Sequence, residues 1–126
     1  MTTPPILHAT AKNAETLTQT EWVILTLSTG WAAVNGHTPR VCKVGQLVVV
    51  TGAVLRQAGG SYTRMAVLPT GYRPSVTQFI GAGVTNKGGQ YELYIDSEGN
   101  LQCASYEAAG SAAGIVMPIA AIFIPV

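Results

Sequence analysis

Six carboxylates, two histidines and two cysteines are the groups in this 126-residue chain with the types to do acid–base, metal or nucleophilic chemistry. The carboxylates are Glu15, Glu21, Glu92, Asp96, Glu98 and Glu107, three of them in the stretch YELYIDSEGN. A glycosidase needs two carboxyl groups about 5 to 9.5 Å apart across a cleft. Glu92 and Asp96 have the even spacing that puts residues on one strand face, but Asp96 and Glu98 read as turn residues. His8 and His37 are far apart and have no His, Cys or Asp neighbour at metal-ligand spacing. Cys42 has no companion histidine, no G-x-S-x-G elbow is present, and GAGVTNKGG lacks the Gly-Lys-Ser/Thr of a phosphate loop. These spacings support no catalytic site, metal or cofactor.

Binding chemistry is better represented. Asn35 and His37 follow Trp31, Tyr62 and Arg64 follow a glycine-rich turn, and Tyr106 and Glu107 follow a hairpin. A tyrosine ring can stack on the apolar face of a sugar while Arg, Glu, Asn and His bond its hydroxyls. Loops at the ends of β scaffolds are where such residues concentrate. Asn35, His37, Tyr62, Arg64, Tyr106 and Glu107 are therefore the candidate saccharide-binding residues.

The totals agree with a neutral partner. Charged residues make up 10% of the chain and the formal net charge is +1, against about 25% charged in an ordinary domain. The seven basic residues are dispersed, so neither a nucleic acid nor a membrane surface is an expected partner. No run of 18 apolar residues exists, and Ile115 to Val126 is interrupted by Pro118 and Pro125. The start, MTTPPILHAT, has neither the basic nor the long apolar region of a secretory signal. Cys42 and Cys103 are expected as small buried thiols.

The elements that must carry these residues are strands. Residues 1–20 read as an extended lead-in or stalk remnant, and 21–126 as one β domain. EWVILTLSTGW alternates, with Val23, Leu25 and Leu27 on one face. RVCKVGQLVVVTGAVLR is apolar on both faces, so Leu47 and Val49 call for cover of their own. YTRMAVL, SVTQFIGAGVT and IAAIFIPV are further strands, and YELYIDSEGNLQCASY is a hairpin turning at Asp96–Asn100, with Gly99 supplying positive φ. Turns are expected at Ala58–Ser61, at Asn86–Gly89 and within VLPTGYRP, where Pro69 and Gly71 make a corner. No segment holds a 3.6 period; EAAGSAAG is broken by Gly110 and Gly114. Short strands with turns about every ten residues predict an all-β antiparallel sandwich or barrel.

The order LSTGW, PRVCKVGQLVVVTGAV, MAVLPTGYRP, LYIDSEGNLQ, AIFI resembles the C-terminal head domains of bacteriophage tail-fibre and baseplate receptor-binding proteins, over about residues 21 to 124. The resemblance implies a jelly-roll-like head, a homotrimer, a place at the phage tail tip after assembly in the host cytoplasm, contacts with other tail or baseplate proteins, and non-enzymatic adhesion to host cell-wall or surface polysaccharide. The matching residues Trp31, Gly52, Pro69 and Gly71 belong to scaffold motifs and carry over no sugar contact. The alternative is a trimerisation or assembly domain without glycan binding. A depolymerase would have to draw on Glu92, Asp96 and Glu107.

Overall fold

The computed structural model describes residues 18–57, 64–104 and 114–125. The expected turn at Ala58–Ser61, most of the 107–114 segment and most of the 1–20 lead-in lie outside the described residues. The described chain is cut into short strands: β1 (Val23–Ile24), β2 (Thr26–Leu27), β3 (Trp31–Ala33), β4 (Arg40–Val44), β5 (Leu47–Thr51), β6 (Ala53–Arg56), β7 (Arg64–Val67), β8 (Gln78–Val84), β9 (Gln90–Ile95), β10 (Asn100–Ala104), β11 (Val116–Pro118) and β12 (Ala121–Phe123). They form three sheets, ordered β1-β4-β5-β12, β2-β7-β10-β9-β8 and β11-β6-β3. Every pairing is antiparallel. The all-β antiparallel class is as expected, and among the described residues no sheet closes into a barrel.

EWVILTLSTGW is not one strand. Val23–Ile24 pairs with β4, whereas Thr26–Leu27 pairs with β7 in another sheet. Leu25, buried at the crossing, donates its N–H to the Pro39 carbonyl at 3.0 Å. The two-residue period survives the jump, which is why the sequence reads as continuous. Residues 18–20 continue along β4: Thr20 donates its N–H to the Lys43 carbonyl, and its hydroxyl accepts the Lys43 N–H at 2.9 Å.

Gly52 makes a second crossing, from β5 to β6, at φ 115°. A Cβ there would lie 2.6 Å from Pro39 Cα, so only glycine lets the two backbones approach. The Ile119 N–H bonds the Gly52 carbonyl at 2.9 Å between the β11–β6 and β12–β5 ladders. The first and third sheets are thus successive parts of one bent surface.

Val48 and Val50 from the first sheet, Met65 and Leu101 from the second, and Val54 and Met117 from the third meet in one buried cluster. Each such side chain stabilises the fold by about 1.5–3 kcal/mol. Cys42 and Cys103 are both buried. Burial pushes the Cys42 thiol up despite Arg40, and pushes that of Cys103 up to about 11. The other face of the first sheet bears Arg40 opposite Thr51 and, beside them, an open apolar patch: Leu47 is 36% exposed, Val49 is half-buried, and Ile122, opposite Val49, is 62% exposed.

VLPTGYRP is a corner. Leu68 is fully buried, Tyr72 donates its N–H to the Pro69 carbonyl, and Gly71 sits at φ 97°. Arg73 Nε bonds the Leu68 carbonyl at 2.8 Å and lies against Gly99.

Candidate functional site

The hairpin tip organises the best-defined polar cluster. With Gly99 at φ 85°, the chain turns back so that Asp96 accepts four bonds: from the Glu98 N–H (2.9 Å), the Asn100 N–H (3.0 Å), Asn100 Nδ2 (2.9 Å) and Gln102 Nε2 (2.9 Å). Burial works to raise this carboxyl, but the bonds from Asn100, Glu98 and Gln102 outweigh it and hold it below the usual range. An ionised carboxylate only accepts. Gln102 must therefore give Asp96 its nitrogen, which leaves its oxygen to accept the Tyr94 hydroxyl at 2.9 Å. Phe79 leans on Tyr94 with ring centroids 5.4 Å apart and planes tilted 43°.

These residues form one cross-strand row. Arg64 on β7 is opposite Gln102, Gln102 is opposite Tyr94, and Tyr94 is opposite Phe79 on β8. With strands about 4.8 Å apart, the row spans about 14 Å. Irregular pairing places its two ends. The β7–β10 register skips Met65, so Met65 and Ala66 are both buried while Arg64 is exposed. The β8–β9 register skips Ile80, which packs on the core and leaves Phe79 69% exposed. Re-aiming a side chain is what a β-bulge does.

Two strand positions from Tyr94, Glu92 is on the same face and lines a concavity of about 390 Å³ with Ala82, Val84 and Gln90. Tyr91, also on its wall, belongs to the scaffold. Its hydroxyl donates to the Pro118 carbonyl at 2.6 Å, and burial pushes its pKa up to about 12.

A second concavity, of about 420 Å³, is lined by His37, Thr38, Arg40 and Thr51, with Gly36 and Gly52. The turn Val34–His37 builds one rim: His37 donates its N–H to the Val34 carbonyl at 2.8 Å, with Gly36 at φ 81°. Arg40 stands directly opposite Thr51, and its guanidinium lies 4.5 Å from the centre of the Trp22 ring. Among the described residues no three His, Cys, Asp or Glu side chains gather as metal ligands.

The predicted binding residues divide between these places. Asn35 and His37 share the exposed turn, and Arg64 is the first residue of a strand in a different sheet. Tyr62, Tyr106 and Glu107 lie outside the described residues. Sequence reasoning missed Phe79, Tyr94 and Gln102. The Tyr94–Gln102 pairing had a signal, since both are two residues outside the Asp96–Asn100 turn. Phe79 had none, because the skipped Ile80 breaks the alternation that would have placed it.

In fold the chain is similar to the crystal structure of the receptor binding protein (gp15) of Listeria phage PSA, with a TM-score of 0.60 and 22% identity over 94% of this chain and 73% of that one. No family model and no curated protein matches the sequence.

Proposed function

We propose that the chain is a phage receptor-binding head domain that adheres, without enzymatic action, to host-surface saccharide along the row Arg64–Gln102–Tyr94–Phe79. The observation that carries this reading is an aromatic ring 69% exposed to solvent beside a tyrosine whose hydroxyl is locked through Gln102 to Asp96. A sugar ring offers C–H faces and hydroxyl edges. Phe79 and Tyr94 suit the first; the second Gln102 N–H, Arg64 and Glu92 suit the second. Pre-ordered side chains lose little entropy on binding. The fold likeness to a phage receptor binding protein supports the same class of role.

The absence of catalysis is part of this proposal. A glycosidase acid must carry its proton near neutral pH. Asp96 is held below the usual carboxylate range, with both oxygens engaged. The near-neutral chain predicts saccharide binding that changes little with salt.

The protein acts, in this reading, as a jelly-roll-like homotrimeric head at the tail tip of the virion, assembled in the host cytoplasm and attached to tail or baseplate proteins. The open apolar face bearing Leu47, Val49 and Ile122 supports self-association. The same face supports a second reading, a structural assembly domain that binds no glycan. Light scattering of the full chain should give three times the 13.1 kDa chain mass; a monomer at micromolar concentration contradicts the trimer. Polysaccharide binding that is weakened in Phe79→Ala separates the receptor reading from the assembly one.

A further inference from the structure

We infer that the concavity under the Val34–His37 turn is a separate oxyanion site, taking a phosphodiester or carboxylate group. Its lining is rich in donors: the Arg40 guanidinium, the His37 imidazole and the hydroxyls of Thr38 and Thr51, with no carboxylate among the described residues that line it. The side chains of His37, Thr38 and Thr51 make no hydrogen bond to a described residue, and Arg40 makes no ion pair with one. Trp22 covers one face of the guanidinium at 4.5 Å, and the in-plane N–H groups stay available for a bidentate contact. Gly52 sets the depth: the Thr38–Pro39 backbone settles onto it where a Cβ would collide at 2.6 Å, bringing Thr38 over the end of β5 beside Thr51. The volume of about 420 Å³ admits a tetrahedral anion and the groups flanking it. This site lies on other sheets than the aromatic row, so either can fail without the other.

The test is a titration of the ¹⁵N-labelled full chain with inorganic phosphate, dimethyl phosphate and glucuronate, against chloride at matched pH and ionic strength. Saturable shifts are expected at the amides of His37, Thr38, Arg40, Thr51 and Gly52. Stronger binding of dimethyl phosphate identifies a phosphodiester, and stronger binding of glucuronate a carboxylate. Arg40→Gln should weaken phosphate binding by about tenfold, while Lys87→Gln, which removes an exposed charge elsewhere, should leave it unchanged. Thr51→Val serves as the second variant should Arg40→Gln lose its folded spectrum. Shifts no larger than those with chloride, or equal affinity in a folded Arg40→Gln or Thr51→Val, overturn the proposal.

Discussion

The Tyr94 hydroxyl donates to the side-chain oxygen of Gln102 at 2.9 Å, and the Gln102 nitrogen donates in turn to Asp96. The direction of the chain follows from its last member, because an ionised carboxylate cannot donate. Tyr94→Phe should therefore leave the Gln102 oxygen to solvent. The expected cost is about 1 kcal/mol of stability, read by urea denaturation, together with weaker polysaccharide binding.

Phe79 should affect binding far more than folding. Its ring is mostly in water already, so Phe79→Ala should change stability by no more than about 0.5 kcal/mol. Loss of an exposed aromatic anchor should weaken polysaccharide binding by about tenfold. Thermal denaturation and a surface-binding assay on the same sample measure both.

Asp96 should make the fold acid-sensitive. Its folded carboxyl is held below the usual range, so its contribution is fully present above about pH 4. It is lost as pH falls through the lowered folded value. Asp96→Asn should be less stable at pH 7 and show a shallower loss as pH falls below about 4, measured as urea midpoints across an acid series.

Tyr91 and Cys103 should make the fold alkali-sensitive. Burial raises them to about 12 and about 11 respectively. Their protonated forms favour the folded state fully below the unfolded values, about 10 and 8.5, and that stability is lost as pH rises through the folded ones. Tyr91→Phe should lose the bond to Pro118, about 1 kcal/mol at pH 7, and should weaken the alkaline fall-off.

Gly52 and Gly71 share a positive φ but not the same surroundings. A Cβ at Gly71 meets nothing within 4 Å, whereas at Gly52 it strikes the Thr38–Pro39 backbone. Gly71→Ala should cost about 1–2 kcal/mol from the dihedral alone. Gly52→Ala should cost more than about 4 kcal/mol or prevent folding. Equal melting temperatures for the two variants contradict the close approach at Gly52.

Much of the scaffold was legible in the sequence because turn chemistry and alternation are local. Asp96–Asn100 and the VLPTGYRP corner need only Gly99 and Gly71 in place, and the apolar character of the second face at Leu47 and Val49 follows from apolar residues in succession. The crossings at Leu25 and Gly52 were not legible, since alternation is blind to which sheet a strand joins. The proposed binding row was half legible. Arg64 was read from its chemistry, but its outward aim and that of Phe79 depend on skipped pairings at Met65 and Ile80, which only the partner strands reveal.

The most direct measurement is binding of the full chain to an array of bacterial surface polysaccharides, with Phe79→Ala combined with Gln102→Leu as the comparison and Lys87→Gln as the control. The predicted result is reproducible binding that the control retains and the double variant loses while still folded. Binding to no polysaccharide, or undiminished binding by the folded double variant, contradicts the assignment of receptor recognition to this row.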